Sequence, residues 1–442
     1  MKKIHGKGRI ILYAMSGMGI NILNIMVGSY LCSALLVGGF GESVIPYQTY
    51  AQRDLIIPAV WSMFALVSKI IDGIIDIPLA SFADRMRTRW GRRRPVILGG
   101  MVLTVICYLL FRVIPNPNGA SLLNTVYYGG ILCLYYCFYT LTMVTYYATY
   151  TEVFETTAER NLVSNAKSVF DIFYFLIGYV FVRMMLNSIN IRIVAMMVLP
   201  LSLTMLIPLF MLKETGNEET QSYETVRLIP ALKLTAKNKH FMTWMVVYCF
   251  ITFGVQLFLS GINEYFSFVK MNMILVMTSA FAPVPFTLIL YNKITKKHGF
   301  GVAFRCVLLI YALGMTAMGL TGIFAPESKR TLFSIISGVC SSFSIGALFS
   351  VAYSIPSQLA ADEEKKTGIS NSAMYFAVQG LFAGVATGIG SGVVLTALKG
   401  SENNPTDAIK YMTLISAAGC LVAFFTSWIL PKSLMMMGKE TD

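Results

Sequence analysis

Long apolar stretches constrain this chain of 442 residues more than any other feature. A helix needs about 20 mostly apolar residues to cross the hydrocarbon core of a membrane. By that criterion we count about twelve such stretches, separated by turns rich in glycine, proline, asparagine or charge. They begin near Ile10, Leu55, Pro95, Thr125, Asn165, Arg192, Phe241, Asn272, Gly301, Thr331, Ser370 and Ala408. Barrel strands would be about ten residues long and alternate in polarity. We therefore predict an all-α polytopic membrane protein with twelve transmembrane helices.

The charges are few, and most of them sit between the apolar stretches. Only 13% of residues are charged, about half the usual share of a soluble domain. The basic residues gather before the first stretch, at Lys2, Lys3, Lys7 and Arg9, and in the loop 85–94. The opposite loops hold fewer, such as Lys270 and Lys399. Basic loops face the cytoplasm, so we expect both termini there, in a bacterial inner membrane, with no cleavable signal peptide. The net charge of +13 is then a topology signal and not a sign of nucleic-acid binding.

No sequence motif points to catalysis, a metal or a cofactor. All eight cysteines fall within apolar stretches and lack metal-site spacing. The segment Gly388–Gly392 resembles a nucleotide loop only in composition, since it lies in an apolar stretch without a preceding strand. We interpret it as a site of close helix packing. The expected partners are therefore a small solute and the lipid bilayer, with no enzymatic activity and no cofactor beyond a coupling ion.

The longest polar interruption divides the chain into halves. We predict an N-terminal six-helix bundle at 1–212, a cytoplasmic loop at 213–240 and a C-terminal six-helix bundle at 241–442. Such a split suits a transporter that binds its substrate between two bundles. A weak repeat supports the division, because Asp84–Gly91 and Asn292–Gly299 both run from a polar residue through basic residues to glycine.

Three ionisable residues lie close together in the second apolar stretch. Lys69, Asp72 and Asp76 are spaced so that all three share one helix face. Charges inside a membrane span are costly and are functional candidates by default. Two carboxylates and one ammonium leave one negative charge, which a Na⁺ or a shared proton would neutralise. The alternative is structural: Lys69 pairs with one aspartate, the other is protonated, and the cluster only holds helices together.

Other polar residues within apolar stretches are weaker candidates for solute binding. Lys167 and Asp171 are four residues apart on one face of the fifth stretch. Asn21, Gln256 and Gln379 are isolated amides, which in membranes more often join helices than bind ligands. The fourth stretch is rich in tyrosine, including Tyr147, and either stacks on a sugar ring or serves packing and interfacial anchoring.

One motif carries a family resemblance. Asp72-x-x-x-Asp76-x-Pro78, followed by Asp84-Arg-Met-Arg-Thr-Arg-Trp-Gly-Arg-Arg-Arg-Pro95, resembles the signature of the glycoside–pentoside–hexuronide:cation symporters. These form the melibiose-permease-like branch of the major facilitator superfamily. Further similarity at Tyr13–Asn21, Ala148–Arg160, Ala231–Phe241 and Asp362–Gly368 extends it over nearly the whole chain.

The resemblance implies a twelve-helix carrier in two six-helix bundles that works by alternating access, and we expect it to function as a monomer. It implies that Asp72 and Asp76 are the cation carboxylates, with Lys69 beside them and Thr140 or Thr142 as an added oxygen ligand. It places Asn21, Tyr147 and Lys167 near the sugar. We expect the loop after the second helix to form cytoplasmic salt bridges that stabilise an outward-facing state, as a gate built from Asp84, Arg85, Arg89, Gly91 and Arg92.

The chain also departs from that pattern. Ile75 and Ile77 stand where melibiose-type members have asparagine and proline, and Met143 and Gly384 replace an expected acid and lysine. H⁺ is therefore as good a coupling ion as Na⁺. The function we predict is cation-coupled import of a sugar, glycoside or related solute. The alternatives are an uncoupled facilitator or lipid or drug carrier on the same fold, and a non-transporting sensor or scaffold.

Overall fold

Helices make up most of the part of the chain that the computed structural model describes, which is residues 4–40, 46–86, 88–154, 157–212, 238–367, 372–401 and 404–436. The first six long helices are α1 (Lys7–Leu35), α2 (Pro58–Arg85), α3 (Arg93–Leu110), α4 (Leu122–Val153), α5 (Thr157–Leu176, then a π-helical turn at Ile177–Phe181 and Val182–Met185) and α6 (Ile191–Met211). The second six are α7 (Lys239–Phe268), α8 (Met273–His298), α9 (Phe300–Phe324), α10 (Glu327–Thr367), α11 (Ser372–Thr387, π-helical Gly388–Val394, Leu395–Lys399) and α12 (Ala408–Ile429). A two-stranded antiparallel hairpin, β1 (Gly400–Ser401) and β2 (Asn404–Pro405), follows α11, and a short α13 (Lys432–Met435) follows α12.

The predicted fold class is confirmed. Within the described residues, 11 helices are long and apolar enough to cross a membrane, and α5 is a further long helix. Large apolar side chains stay exposed on their outer faces, as with Phe210, Phe286 and Phe324 at 80%, 76% and 78%. Such exposure would be unfavourable in water but suits contact with lipid tails.

Side-chain caps fix where several helices begin. Ser121, Asn190, Asn238 and Asn272 each accept a hydrogen bond from a backbone N–H in the first turn of α4, α6, α7 and α8 respectively. These caps satisfy backbone donors that the helix itself leaves unpaired.

Two predicted helix starts lie too far along the chain. The fifth helix begins at Thr157 rather than near Asn165, and the tenth begins at Glu327 rather than near Thr331. Both helices open with polar turns, containing Glu159 in α5 and Glu327 in α10. A hydropathy criterion detects only the apolar part of such a helix.

The chain divides into two compact units. The N-terminal unit comprises Met1–Val37 and Ser43–Glu224, and the C-terminal unit comprises Gly38–Glu42 and Thr225–Asp442. Most of the predicted central loop, residues 213–237, lies outside the described residues. In the N-terminal unit, α2 and α3 both pack along α4. In the C-terminal unit, α7 packs against α11 and α12, and α9 packs against α10 and α12.

The glycine segment of α11 packs closely, as interpreted from the sequence. A Cβ added to Gly390 would lie 2.9 Å from the carbonyl oxygen of Phe253 on α7. Only a residue without a side chain allows the two helices to approach this closely.

Candidate cation and solute sites

The candidate cation site lies where α2 packs against α4 in the N-terminal unit. The hydroxyl of Thr140 donates a hydrogen bond of 2.5 Å to Oδ1 of Asp72. The ammonium of Lys69 lies 3.6 Å from the centroid of the Tyr136 ring and interacts electrostatically with Asp72. Lys69 and Asp72 are three residues apart on α2, and Tyr136 and Thr140 are four apart on α4. The two pairs therefore meet across one helix interface.

The α4 side of this cluster is buried, and the α2 side is partly exposed. Thr140 is 5% exposed and Tyr136 is 3% exposed, while Lys69 and Asp72 are half-buried. A carboxylate in such surroundings needs hydrogen bonds or cations to compensate for lost hydration. One hydroxyl and one ring-bound ammonium supply part of that compensation, and a bound Na⁺ or proton would supply more.

The structure distinguishes between Thr140 and Thr142, the two threonines that the resemblance allows as the added oxygen ligand. Thr142 donates its hydroxyl to the carbonyl oxygen of Phe138 in its own helix. Thr140 is thus the residue of this pair whose oxygen lies at Asp72. The side chain of Asp76 lies outside the described set, so the structural alternative for Lys69 and the two aspartates stays open.

Three candidate solute residues come together in the N-terminal unit, from α4 and α5, and a fourth lies on α1. Lys167 and Asp171 form an ion pair of 2.5 Å, with both side chains about 30% exposed. The Lys167 ammonium lies 5.4 Å from the centroid of the Tyr147 ring. Asn21 accepts a hydrogen bond of 3.0 Å from the hydroxyl of Tyr139. Cations, carboxylates, amides and ring faces are the groups that bind a polyhydroxylated ring.

Two further tyrosines accompany these candidates. Tyr139 contacts Asn21, and Tyr174 follows Asp171 by three residues on α5. Sequence reasoning did not select Tyr174. The signal was present in its position seven residues after Lys167 and three after Asp171, which places it on the same helix face.

The two glutamines of the C-terminal unit have different surroundings. Gln379 is 6% exposed and accepts a hydrogen bond of 2.8 Å from the indole N–H of Trp244, which joins α11 to α7. This contact is of the kind expected if Gln379 joins helices, which is the alternative to solute binding. Gln256 is half-buried and lines a cavity within the same unit.

A buried ion pair in the C-terminal unit escaped the sequence analysis. Lys399 at the end of α11 contacts Oε1 of Glu264 near the end of α7, with the two side chains 5% and 0% exposed. Neither oxygen of the Glu264 carboxylate has a well-directed hydrogen bond within the described part of the chain. The ion pair with Lys399 is therefore the main interaction that offsets the loss of hydration of this carboxylate. The sequence placed Lys399 in an outer loop, and no local pattern connects it to Glu264.

The predicted gate follows α2 and is partly described. The side chains of Asp84 and Arg85 lie outside the described set. Thr88 organises the turn, because its hydroxyl donates to the carbonyl oxygen of Gly91 at 2.8 Å and accepts from the N–H of Trp90 at 3.2 Å. Arg89 is exposed and Arg92 half-buried on either side of that turn.

Gly91 ends this turn in a conformation that favours glycine. Its φ is +99°, and Gly299, the matching glycine of the weak repeat, has a φ of +87°. We expect Gly91→Ala to lower the free energy of unfolding by about 1 to 2 kcal/mol, because a Cβ strains this backbone conformation. Thermal unfolding of the purified protein in detergent measures the change.

Gly99→Ala is the matched control for that substitution. Gly99 lies within α3, and nothing lies within 4 Å of an added Cβ. We expect a gain of about 0.5 to 1 kcal/mol there, since alanine favours helix. Equal stability of Gly91→Ala and the wild type would contradict the turn as described.

The sequence matches a known family over nearly its whole length. Residues 12–431 fit the profile of the family described as MFS/sugar transport protein. An uncharacterized symporter, sll1374, of Synechocystis sp. (strain ATCC 27184 / PCC 6803 / Kazusa) is 32% identical over 111 residues, which is 24% of this chain and 20% of that protein. The inner membrane symporter YicJ of Escherichia coli (strain K12) is 32% identical over 99 residues, 21% of each chain. The chain thus matches about a fifth of the length of these curated relatives.

Solved structures share the fold at low sequence identity. The nucleoside transporter NupG superposes with a TM-score of 0.65 at 13% identity, covering 96% of this chain and 98% of that one. A POT family transporter in complex with 5-aminolevulinic acid gives a TM-score of 0.66 at 14% identity, covering 97% of each chain. A bacterial homolog of the human lysosomal transporter Spinster gives 0.61 at 13% identity, covering 98% of each.

The profile match, the relatives named as symporters and the shared fold agree with the motif around Asp72 and Asp84. The chain is a multi-pass membrane protein that belongs to the MFS/sugar transport protein family, the melibiose-permease-like branch of the major facilitator superfamily.

Proposed function

We propose that this protein is a cation-coupled symporter that imports a sugar, glycoside or related small solute across a bacterial inner membrane. H⁺ and Na⁺ are both candidate coupling ions. The observation that carries the proposal is the cluster of Lys69, Asp72, Thr140 and Tyr136, which holds a half-buried carboxylate between two helices. The symporter names of its relatives support the same reading.

Proximity of the two candidate sites supports coupling. Both lie in the N-terminal unit, and α4 supplies residues to each: Thr140 and Tyr136 to the cation cluster, Tyr139 and Tyr147 to the solute cluster. A cation that orders this part of α4 would favour solute binding. By linkage, the solute would then favour the cation by the same factor.

A thermal-shift screen tests this proposal on the purified full chain. The panel contains monosaccharides, disaccharides and glycosides at several pH values, with and without Na⁺. We expect at least one sugar to raise the unfolding midpoint, and the rise to depend on pH or Na⁺. A sugar effect that is the same under every ionic condition would contradict coupling.

Tyr139→Phe tests the solute cluster separately. The substitution leaves the ring but removes the hydroxyl that donates to Asn21, which is 8% exposed. Asn21 then loses the bond that orients its side chain, and since such a bond is worth about 1 kcal/mol we expect affinity for the best sugar of the panel to fall by up to roughly fivefold. Equilibrium binding measures the change.

Tyr127→Phe is the matched control. It also removes one hydroxyl from α4, one that donates to the carbonyl oxygen of Leu110 at 3.0 Å. We expect solute affinity to stay unchanged in this variant. Equal losses in both variants would indicate a general effect on α4 and would contradict a solute role for Tyr139.

A further inference from the structure

A cationic side chain lies near one end of the C-terminal unit without a carboxylate beside it. Arg305 is half-buried in the second turn of α9. Within the described part of the chain it forms no ion pair with an aspartate or glutamate. Its guanidinium is always charged and has five N–H donors. A charge at such a place in a membrane protein is costly unless a counterion accompanies it.

Three contacts orient the guanidinium but do not neutralise it. Its carbon atom lies 3.9 Å from the centroid of the Trp428 ring on α12. Nη2 donates to the carbonyl oxygen of Ser427 at 3.4 Å and to the sulfur of Met435 at 3.6 Å. The first of these bonds is long, and a thioether is a weak acceptor. None of the three partners carries a negative charge.

The surface around Arg305 is apolar and exposed. Val302 and Leu309 precede and follow it by three and four residues, so they share its face of α9, and both are exposed. On α12, which packs against α9, Trp428 and Phe425 are 62% and 67% exposed. In a membrane protein such a face contacts acyl chains. Tryptophan rings and the long side chain of arginine typically lie where the chains meet the headgroups.

The neighbouring end of α8 adds positive charge. Its last turn contains Lys296, Lys297 and His298, all exposed, and α8 packs against the start of α9. By the distribution of basic loops we expect this end to face the cytoplasmic leaflet. Basic clusters at the cytoplasmic ends of membrane helices are typical binding sites for anionic lipid headgroups.

We propose that Arg305 and Trp428 form a binding site for one anionic phospholipid. The lipid phosphate accepts hydrogen bonds from the guanidinium, and the acyl chains lie along the exposed faces of α9 and α12. The occupant is a lipid and not a soluble phosphate ester, because the guanidinium lies on an apolar face that acyl chains cover. The site depends on neither the solute nor the coupling ion.

The structural alternative is that Arg305 only stabilises the end of α12. A cation beside the last carbonyl groups of a helix is favourable by itself, and Ser427 supplies such a carbonyl. That contact would contribute the same stability in any lipid. The difference between an anionic and a zwitterionic lipid therefore distinguishes the two roles.

Lipid-dependent stability of the purified full chain tests the site. The unfolding midpoint in detergent is titrated with dioleoyl-phosphatidylglycerol, or with dioleoyl-phosphatidylcholine, which has the same acyl chains but no net charge. We expect phosphatidylglycerol to bind about tenfold more tightly, as a charge-assisted hydrogen bond allows. The soluble ester sn-glycerol 1-phosphate is the third arm, and we expect it to have no effect. A rise in the midpoint equal to that with phosphatidylglycerol would overturn the lipid assignment.

Arg305→Gln shows whether the guanidinium causes the preference. We expect this variant to bind phosphatidylglycerol about tenfold more weakly, and no better than phosphatidylcholine. Arg112→Gln is the matched control, because it removes the same charge from an exposed arginine just after α3 in the N-terminal unit. We expect that control to keep the preference. A preference that survives in folded Arg305→Gln overturns the proposal and supports the structural alternative.

Fluorescence of Trp428 provides a second measurement that does not depend on folding of Arg305→Gln. Both lipids are prepared with brominated acyl chains, which quench a tryptophan that they contact. We expect brominated phosphatidylglycerol to quench the wild type more than brominated phosphatidylcholine does at the same mole fraction. The conservative variant Trp428→Phe should lose this excess quenching. No excess in the wild type, or an excess that Trp428→Phe retains, overturns the proposal.

Discussion

Asp72→Asn is expected to abolish accumulation of the solute against its gradient, while the protein still folds. The amide keeps the volume of the carboxyl and can still accept the hydrogen bond from Thr140, but it carries no charge to bind a cation. A transporter without coupling can only equilibrate its solute. We therefore expect the ratio of internal to external solute to fall to about one, because no cation free energy is transmitted. Uptake into vesicles of purified protein measures the ratio.

Asp407→Asn is the matched control for this prediction. It is the same substitution on an exposed carboxylate that precedes α12 and pairs with Lys410 in the first turn of that helix. We expect this variant to accumulate the solute as the wild type does. Both variants should keep the unfolding midpoint of the wild type within a few degrees, on the order of 1 kcal/mol. Normal accumulation by Asp72→Asn would place the cation site elsewhere.

Breaking the buried ion pair between Glu264 and Lys399 is expected to destabilise the C-terminal unit strongly. Lys399→Met keeps the length of the side chain but leaves the fully buried Glu264 carboxylate without its cation. Removing one partner of a buried pair costs about 3 to 5 kcal/mol. The unfolding midpoint in detergent should therefore fall clearly below that of the wild type.

The double variant Glu264→Gln/Lys399→Met distinguishes loss of the pair from loss of packing. Replacing both charges leaves no buried ion, so we expect it to regain most of the stability that Lys399→Met loses. The exposed pair Lys270–Glu327, 3.5 Å apart and about 60% exposed, serves as the control cycle. For that pair we expect a coupling free energy between the two residues of at most about 1 kcal/mol. Additive losses at Glu264 and Lys399 would contradict a paired, buried contact.

The helices and the membrane class follow from sequence because apolar length is a local property. The face that carries Lys69 and Asp72 also follows, since residues three apart share a face of α2 in any packing. The same holds for Lys167 and Asp171 on α5. These predictions needed no knowledge of the neighbouring helices.

What surrounds those residues depends on contacts between distant helices. Thr140 and Thr142 are two apart on α4, so only the rotation of α4 against α2 decides which one lies at Asp72. The hydrogen bond between Gln379 and Trp244 joins α11 to α7, and the sequence around Gln379 does not identify that partner. Glu264 and Lys399 meet only because the ends of α7 and α11 pack together. Hydropathy and spacing carry no information on such pairs.

Solute accumulation under imposed ion gradients tests coupled transport most directly. Wild-type protein is placed in vesicles, and a Na⁺ gradient, a pH gradient or a potential that is negative inside is imposed separately, using the best sugar from the thermal-shift panel. A potential of about 100 mV supplies roughly 2.3 kcal/mol for each cation charge, enough for about fiftyfold accumulation with one cation per solute. We predict accumulation toward that ratio that collapses when an ionophore removes the driving gradient. A ratio of about one under every gradient would contradict cation-coupled symport.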